Sequence, residues 1–256
     1  MPLNQPITQW QGRSVWLIGA SSGIGLATAK ALHAAGARVT VSARKTDLLH
    51  TFVASHAGSQ AIALDVCDAQ AVHAVTQQVA QTHGIDVVVY CSGYYKAVRA
   101  TKYSLEEMTY HQDVNYLGVA RVLDAVLPIL LDQKRGHISL IASVAGYSGL
   151  PNSLAYGPTK AAMINLAESL YFDLSPIGIG VSVVNPGFVA TPLTAQNKFA
   201  MPALLQPEEA AAYMLKGWAD GEFEIHYPKR FSRWLKFMRL LPYRWYFGLV
   251  RSATKM

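Results

Sequence analysis

The sequence predicts a protein of the α/β class, with a doubly wound parallel sheet in a single domain and a helical extension at the C-terminus. Short apolar runs that fit buried parallel strands alternate with longer helical stretches. A glycine-rich turn joins the first of these strands to the first helix. The length of 256 residues, of which 51% are hydrophobic and 15% charged, suits one large core. We therefore assign residues 13–227 to the main domain and residues 228–256 to a basic extension.

The glycine-rich turn is the strongest indication of a bound ligand. It follows the predicted strand Ser14–Ile18 and precedes the helical stretch LATAKALHAAG. Glycines let the backbone approach a pyrophosphate closely, and the N-terminus of the next helix supplies N–H donors and a positive dipole. A turn that is merely tight is the alternative, but the flanking strand and helix argue against it. The pattern predicts dinucleotide binding by Gly19, Ser21, Ser22, Gly23, Ile24 and Gly25.

The end of the second predicted strand, Arg38–Ala43, bears on the choice of dinucleotide. Folds specific for NAD(H) usually place an acidic residue there to bind the ribose 2′-hydroxyl. This strand ends without a carboxylate and is followed by Arg44 and Lys45. Two cations suit a 2′-phosphate, so the pattern favours NADP(H) over NAD(H) as cofactor. The alternative is that both cations only begin a solvated loop.

The next two predicted strands also end in residues that suit a bound cofactor. After Ala61–Leu64, the side chain of Asp65 can reach an adenine edge. After Val87–Tyr90, small residues again permit close approach of a cofactor. These positions add four predicted cofactor contacts, which are Asp65, Val66, Ser92 and Gly93.

A tyrosine and a lysine form the main candidate for catalysis. Tyr156 and Lys160 are four residues apart on a predicted helix that runs to about Ser175, so they share one face. An ammonium one turn away would stabilise the phenolate and lower the pKa of Tyr156 from its usual value of about 10. Such a pair can move a proton on or off a carbinol or ketone oxygen. The spacing is common by chance and gains weight from the glycine-rich turn.

Two further polar residues are candidates near this pair. Ser143 follows the predicted strand Gly136–Ala142, at the carboxyl end where open α/β sheets bind ligands. It can donate a hydrogen bond to a substrate oxygen. Asn115 lies in an otherwise apolar face of a helix predicted over about 105–132. A buried amide needs partners, and the residues alone fit a structural amide that bends the helix as well as a catalytic one.

The remainder of the main domain supplies another turn and a long loop. The predicted strand Gly180–Asn185 leads into a turn at its carboxyl end that contains Pro186, Gly187, Val189 and Thr191. Residues 192–206 are partly apolar and long for a loop, so we expect a lid over a nonpolar substrate. Pro207 and two acidic residues then open a helix, and Phe223–His226 is the last predicted strand.

Composition argues against several kinds of site. Cys67 and Cys91 have apolar surroundings and no metal-ligand spacing, so we expect reduced core cysteines of an intracellular protein and no bound metal. The first ten residues lack the pattern of a signal peptide, and no uncharged apolar run reaches the ~18 residues that span a bilayer. We expect a cytoplasmic protein.

The formal net charge of +6 belongs to the C-terminal extension. Residues 229–256 hold eight Lys/Arg and no acidic residue, which leaves 14 basic against 16 acidic residues, a net charge of −2, in the rest. Helical spacing places seven apolar residues on one side: Phe231, Trp234, Leu235, Met238, Leu241, Trp245 and Leu249. Pro242 should break or kink this helix.

A basic amphipathic helix of this kind suits peripheral contact with a membrane. Packing over the substrate cleft or against a second subunit is equally consistent with the pattern. Nucleic acid is not expected as a partner, because bulky apolar residues lie among the cations and no nucleic-acid motif frames them.

Taken together and in order, these motifs make the chain resemble the short-chain dehydrogenase/reductase family over about residues 13–227, with its Rossmann-type fold. The motif set is Gly19-x-x-x-Gly23-Ile24-Gly25, Asn115, Ser143, Tyr156-x-x-x-Lys160 and Pro186-Gly187. The resemblance implies a small-molecule substrate and a homodimer or homotetramer.

The resemblance also implies a role for each site residue, and the predicted cofactor contacts include Asn115, Tyr156, Lys160, Pro186 and Gly187. Tyr156 would be the general acid/base, and Lys160 would lower its pKa and bind the nicotinamide ribose. Ser143 would orient the carbonyl oxygen, and Asn115 would hold a water in a proton relay through Lys160. The carboxamide of the cofactor would be fixed by Thr191 and by the backbone of Val189.

The chain departs from the family pattern at two places. Ile18 precedes the first glycine where the family usually has Thr. The family's Asn-Asn-Ala-Gly stretch corresponds to Tyr90-Cys91-Ser92-Gly93, so both asparagines that brace the central strand are missing. The bulk of Tyr90 then requires a different packing solution.

The sequence thus predicts an NADP(H)-dependent oxidoreductase that transfers a hydride between nicotinamide and a ketone or secondary alcohol. The apolar lid and the aromatic extension favour a lipid-like substrate, such as a 3-oxoacyl or 3-ketosphingoid chain. The alternative is an NADP(H)-binding, membrane-associated redox sensor or scaffold without turnover.

Overall fold

Seven parallel strands form one sheet in the computed structural model, which describes residues 1–197 and 199–254. The strands are β1 Ser14–Ile18, β2 Arg38–Ala43, β3 Gln60–Ala63, β4 Val87–Tyr90, β5 Gly136–Ile141, β6 Ile179–Pro186 and β7 Glu224–Tyr227. Their order is β3-β2-β1-β4-β5-β6-β7, so the winding reverses between β1 and β4. The connections leave that point in opposite directions and open a crevice at the carboxyl ends of the strands. The predicted fold class is confirmed.

Helices cover both faces of the sheet. They are α1 Gly23–Ala34, α2 Thr46–Ser55, α3 Ala69–Thr82, α4 Leu105–Gln112, α5 Gly118–Gln133, α6 Tyr156–Leu174, α7 Pro207–Ala219, α8 Lys229–Arg239 and α9 Tyr243–Thr254. One apolar core lies under α1, α2 and α7, and a second lies under α3, α5 and α6. The strands are buried on both faces, which is why they read as continuous apolar runs in the sequence.

The long helix predicted over about 105–132 is interrupted by a wider π-helical turn at Asp113–Leu117. Tyr90 is fully buried beneath this turn, and its hydroxyl donates a hydrogen bond to the carbonyl oxygen of Val114 at 2.6 Å. A β-carbon on Gly118 would lie 2.2 Å from that hydroxyl, so only glycine leaves room for it. The turn and Gly118 are therefore the packing solution for the tyrosine that replaces an asparagine.

The same stretch, Leu105–Gln133, is long and apolar enough to cross a membrane by length and composition. Among residues 1–197 and 199–254 it is the only helix with such a length and composition. Half of its most apolar window is buried inside the fold. Val119, Val122 and Leu130 lie in the core beside the sheet. We describe it as a core helix.

The C-terminal extension consists of two helices, and the break falls at Pro242 as the sequence predicts. The side chains of Met238, Tyr246 and Val250 are buried against Leu150. The hydroxyl of Tyr246 also donates a hydrogen bond to the carbonyl oxygen of Gly149 at 2.8 Å. The extension therefore packs on the segment that leads into α6.

The predicted apolar side of the extension is only partly correct. Of its seven residues, Met238 is buried and Phe231, Leu235 and Leu241 are half-buried, but three are exposed: Trp234, Trp245 and Leu249. The chain break at Pro242 sets α9 at a new angle, so Tyr246 and Val250 face inward there. A single helical periodicity across the proline could not give that result.

Candidate active site

A cavity of about 870 Å³ opens at the carboxyl ends of the strands. Every residue predicted above to bind cofactor or to act in catalysis lines this cavity, with the exception of Asn115. Residues from the ends of β1 to β6 meet here because parallel strands present their carboxyl ends at one edge of the sheet. The position is the one at which the strand order reverses.

The glycine-rich turn approaches the turn after β4 so closely that no side chain fits between them. A β-carbon on Gly19, whose φ is +91°, would lie 2.4 Å from the backbone nitrogen of Ser92. One on Gly25 would lie 2.5 Å from the carbonyl oxygen of Gly19. Ser22 precedes α1 without capping it, so its side chain leaves the helix N–H groups open. This cradle of bare backbone fits a dinucleotide pyrophosphate.

Charged residues stand at the mouth of the cavity after β2 and β3. Arg44 and Lys45 are both exposed, and Nη1 of Arg44 donates a hydrogen bond to the hydroxyl of Tyr110 at 2.8 Å. This hydrogen bond is the main reason that the pKa of Arg44 is raised. Asp65 is exposed and accepts a hydrogen bond from the backbone of Cys67 at 3.0 Å. Tyr110 holds the guanidinium in place, and no sequence pattern predicts that contact.

The predicted Tyr–Lys pair lies at the start of α6, on the cavity wall. Lys160 is buried, with 3% of its surface exposed, and its Nζ donates a hydrogen bond to the carbonyl oxygen of Ile141 at 2.8 Å. The same Nζ lies 5.5 Å from the centroid of the Tyr156 ring. Burial lowers the pKa of Lys160 to about 7.

The expected lowering of the Tyr156 pKa is wrong for this geometry. Burial of the phenol raises the pKa of Tyr156 to about 12, and a hydrogen bond with Ser143 offsets only part of that. The amine lies over the ring and donates hydrogen bonds to the carbonyl oxygen of Ile141 and to Sδ of Met163, so it does little to stabilise a phenolate. Tyr156 is therefore a protonated phenol at neutral pH, which is the form that donates a proton.

Asn115 lies behind the cavity wall, inside the π-helical turn. Its Nδ2 donates hydrogen bonds to the carbonyl oxygen of Tyr94 at 3.0 Å and to Oγ1 of Thr159 at 3.1 Å. Its Oδ1 accepts a hydrogen bond from the backbone nitrogen of Tyr94 at 2.7 Å. The amide thus ties the loop after β4 to α6, the helix that carries Tyr156.

Hydroxyl groups order the two turns that follow β5 and β6. The oxygen of Ser143 accepts a hydrogen bond from the backbone of Ala145 at 3.1 Å, which leaves its hydrogen free to be donated. After β6, the Thr194 hydroxyl donates to the carbonyl oxygen of Val189 at 2.5 Å and accepts from the backbone of Thr191 at 3.0 Å. Thr194 was not predicted as a site residue, because its neighbours here depend on the fold of the turn.

Tyr95 is a second residue that sequence reasoning missed. Its ring meets the Tyr156 ring edge to face, with the centroids 5.2 Å apart. Nε2 of Gln196 donates a hydrogen bond to the Tyr95 carbonyl oxygen at 2.7 Å and so links the 192–206 segment to this wall. Two consecutive tyrosines directly after Ser92-Gly93 were the available signal.

The segment predicted as a lid is described except for Lys198, which lies outside the described residues. Its far end returns to the site, since Leu205 exchanges backbone hydrogen bonds with Phe188 and Ala190 at 3.0 and 2.9 Å. The ring of Phe188 contacts Phe199 of this segment and Phe231 of α8, with centroids 5.8 and 5.9 Å apart. Aromatic side chains thus connect the turn after β6 to the extension.

A second tyrosine and lysine meet just outside the cavity. The Tyr147 hydroxyl donates a hydrogen bond to Oε1 of Glu224 at 2.6 Å, and Nδ2 of Asn185 donates to the same oxygen at 2.9 Å. Lys236 of α8 forms an ion pair with Glu224, and its Nζ lies 5.7 Å from the Tyr147 ring centroid. Burial alone would raise the pKa of Glu224, but these donors, Lys236 first, outweigh burial and lower it.

The two cysteines are free and lie at the edges of the cores, half-buried, and not within them as expected. Cys91 lines the cavity beside the glycine-rich turn, and burial raises its pKa to about 12. Over residues 1–197 and 199–254, no three His, Cys, Asp or Glu side chains come together in a group that could hold a metal ion.

The cavity combines the glycine-rich turn, at the point where the strand order reverses, with a protonated tyrosine. Together these features define a dinucleotide-dependent oxidoreductase. Comparison with known proteins agrees. The sequence profile described as short chain dehydrogenase matches residues 13–201. An uncharacterised oxidoreductase of Myxococcus xanthus is 34% identical over 235 residues, which cover 90% of this chain and 93% of that relative. An uncharacterised oxidoreductase of Staphylococcus haemolyticus is 32% identical over 208 residues, which cover 80% of this chain and 90% of that relative.

A solved structure shows the same architecture. The crystal structure of a short-chain dehydrogenase from Streptomyces avermitilis matches with a TM-score of 0.81 at 27% identity, covering 89% of this chain and 93% of that one. The chain belongs to the short-chain dehydrogenase family. It is an oxidoreductase of the kind that acts on CH–OH groups with NAD(P) as acceptor.

Proposed function

We propose that the protein is an NADP(H)-dependent reductase or dehydrogenase of an apolar, lipid-like ketone or secondary alcohol, of the 3-oxoacyl or 3-ketosphingoid type. The observation that carries this proposal is the position of Tyr156, whose half-buried side chain lines the same cavity as the glycine cradle and meets the ring of Tyr95. When bound, nicotinamide supplies or accepts the hydride. The residues of the chain position the carbonyl group and handle the proton.

In the reductive direction Tyr156 donates the proton. Its raised pKa keeps it protonated at neutral pH, so it can transfer a proton to the substrate oxygen as negative charge develops there. Ser143 donates a second hydrogen bond to the same oxygen and keeps the carbonyl group oriented. A donor pair of this kind stabilises the developing charge more than it stabilises the neutral ketone.

Lys160 and Asn115 would return a proton to Tyr156. A methyl group on Gly93 would lie 3.7 Å from Oδ1 of Asn115 and 3.9 Å from Nζ of Lys160, so both polar atoms flank one backbone turn. Oδ1 of Asn115 has a second lone pair that can accept a hydrogen bond from water. An amine with a pKa of about 7 both gives and takes protons at neutral pH, which suits a relay. Lys160 is also the donor that we assign to the nicotinamide ribose.

The residues around Tyr156 support an apolar substrate. Tyr95, which meets the Tyr156 ring, and Leu193 line the cavity. The rings of Phe188 and Phe199 pack against each other at the turn after β6, on the side toward the extension. Burial of an acyl chain against such side chains contributes about 0.8 kcal/mol for each methylene. Affinity should therefore rise with chain length.

Arg44 and Lys45 support NADP(H). No carboxylate follows β2 to bind a ribose 2′-hydroxyl, and the Arg44 guanidinium is already oriented by Tyr110. An oriented guanidinium binds a phosphate with two parallel hydrogen bonds, and Lys45 adds a second charge. Thr191 and the backbone of Val189 are assigned to the carboxamide at the other end of the cavity.

The test is NADPH oxidation with ketones of increasing chain length. We expect kcat/KM to rise with chain length, and Arg44→Gln to raise KM for NADPH about 10- to 100-fold with little effect on NADH, because a charge-assisted hydrogen bond contributes about 1.5–3 kcal/mol. NADPH binding without turnover of any carbonyl would instead favour a redox sensor. Equal losses for both cofactors in the Arg44 variant would argue against the 2′-phosphate site.

Assembly and location stay predictions from the sequence. We expect a homodimer or homotetramer in the cytoplasm. Sedimentation velocity of the purified chain would test the first of these.

A further inference from the structure

The two helices of the extension expose an unusual number of large apolar side chains. Between residues 234 and 249 seven of them are at least 43% exposed: Trp234, Phe237, Leu240, Tyr243, Trp245, Phe247 and Leu249. Leu240 and Tyr243 are 80% and 78% exposed. Neighbouring rings stack on one another, Trp234 on Phe237 and Tyr243 on Phe247, each with centroids 5.6 Å apart. Exposed apolar surface of this extent marks an interaction site.

The cations of the same helices divide into two groups. Lys229 and Lys236 form ion pairs with Glu222 and Glu224 and fasten α8 to the end of the sheet. The five arginines are exposed and form no salt bridge with any residue in the described part of the chain; they are Arg230, Arg233, Arg239, Arg244 and Arg251. Residues 229–256 contain no acidic side chain. The outward face therefore carries cations and large apolar side chains and no acidic one.

We propose that this face, formed by the exposed side chains of α8 and α9, docks on the surface of an anionic lipid bilayer. Tryptophan, tyrosine and phenylalanine side chains enter the headgroup boundary, and arginines pair with lipid phosphates and carboxylates. The exposed face and the bilayer surface are complementary in charge as well as in polarity, because the lipid headgroups offer an anionic partner to each unpaired arginine. The proposal concerns where the protein acts and does not depend on its substrate.

A second copy of the chain fits this face poorly. A two-fold contact brings the same patch of each subunit together, so the unpaired arginines of one copy would meet those of the other. No acidic residue of α8 or α9 is present to offset that repulsion. Only a surface of opposite charge removes the conflict.

The inner side of the same helices contacts the segment that leads to the catalytic tyrosine. Tyr246 bonds to Gly149, Leu150 packs against Met238, and Lys236 reaches Tyr147 through Glu224. Phe231 of α8 also contacts Phe188 of the turn after β6. Docking on a bilayer would therefore place this side of the cavity next to the lipid.

The tryptophans of the chain allow a direct test. Of the five, Trp10, Trp16 and Trp218 are at most 6% exposed, whereas Trp234 and Trp245 are 52% and 66% exposed. Vesicles of brominated phosphatidylcholine with phosphatidylserine should quench the fluorescence of the full-length protein. The Trp234→Phe/Trp245→Phe variant should still bind and should lose nearly all of the quenching.

Co-sedimentation with the same vesicles tests the role of charge. Arg239→Gln/Arg244→Gln/Arg251→Gln should weaken binding about 100-fold, since each cation near an anionic leaflet contributes about 1 kcal/mol. The matched control Lys30→Gln/Lys102→Gln/Arg135→Gln also removes three charges, so the formal net charge of +6 falls by three in both variants. All three control cations are exposed and lie outside the extension. The control should bind almost as well as the unmodified chain. Circular dichroism checks the folding of each variant.

Three results would overturn the proposal. One is failure of the unmodified chain to bind phosphatidylserine vesicles at low salt. Another is equal loss of binding in both charge variants, which would show a net-charge effect only. The third is loss of oligomer mass in the extension variants without any vesicle binding, which would make the face a subunit contact. Fluorescence quenching by the vesicles is measured on the unmodified chain, so the misfolding of a variant cannot decide whether the protein binds the bilayer.

Discussion

In the described part of the chain, two lysines lie over tyrosine rings at nearly the same distance. Nζ of Lys160 is 5.5 Å from the Tyr156 ring centroid, and Nζ of Lys236 is 5.7 Å from that of Tyr147. The first pair lines the cavity, and the second joins the extension to the sheet. What separates them is the carboxylate of Glu224, which bonds to both members of the second pair.

The carboxylate decides whether such a pair is structural or chemically available. Glu224 accepts the Tyr147 proton in a hydrogen bond and neutralises Lys236, so neither group is left to act on a ligand. Within residues 1–197 and 199–254 no carboxylate contacts Lys160, and burial lowers its pKa to about 7 while it raises that of Tyr156 to about 12. Burial therefore brings the pKa of Lys160 close to neutral pH, where the amine can exchange a proton, and keeps Tyr156 a protonated donor.

The largest expected effect comes from removing each phenolic hydroxyl in turn. Tyr156→Phe should lower kcat for ketone reduction about 10²- to 10⁴-fold, because it removes the general acid. Tyr147→Phe removes the same atom from the other pair and should leave kcat nearly unchanged. Steady-state NADPH oxidation measures both.

Cofactor binding serves as the control for this comparison. Both variants should bind NADPH as the unmodified chain does, since neither hydroxyl is assigned to a phosphate. If Tyr156→Phe kept its turnover, Tyr156 would not be the proton donor and the contrast between the pairs would have no catalytic meaning.

How far the sequence predicts each pair depends on the distance between its members along the chain. Tyr156 and Lys160 are separated by one helical turn, so their contact follows from local geometry and was predicted. Tyr147 and Lys236 meet only because β7 pairs with β6 in the register that sets Glu224 opposite Val183. No local pattern encodes that register.

Separation along the chain also accounts for the other differences from prediction. The glycine-rich turn and the break at Pro242 depend only on neighbouring residues in the sequence, and both were predicted. The π-helical turn at Asp113–Leu117 forms around the hydroxyl of Tyr90, a residue 24 positions from its partner Val114. The direction of the Tyr156 pKa shift depends on burial within the finished cavity, which the spacing of two residues cannot reveal.

A smaller effect is expected from removing the charge of Glu224. Glu224→Gln should lower the free energy of unfolding by about 1–3 kcal/mol, because the hydrogen bonds at this mostly buried site lose their charged acceptor and Lys236 loses its counter-charge. The pKa of Glu224 is lowered in the folded state, so its stabilisation is present above the usual pKa of 4.5 and is lost as pH falls through the folded value. Urea denaturation at neutral and acidic pH measures both.

Glu222→Gln is the matched control, since Glu222 pairs with Lys229 nearer the surface. Its loss should be below about 1 kcal/mol. Equal losses of unfolding free energy in the two variants would show that the hydrogen bonds from Tyr147 and Asn185 to Glu224 do not stabilise the fold.

The smallest expected effect is a difference in pH dependence caused by Lys160. Its folded pKa of about 7 lies below the unfolded value of 10.5, so the unfolded chain binds more protons between these pH values and stability rises with pH. From pH 7 to pH 8 this group should add about 1 kcal/mol to the free energy of unfolding. Lys160→Met should lack that rise, whereas Tyr156→Phe, which keeps the amine, should retain it. Parallel profiles for the unmodified chain and Lys160→Met would mean that the folded protein holds the amine charged, as a carboxylate partner would, and the distinction between the two pairs would fail.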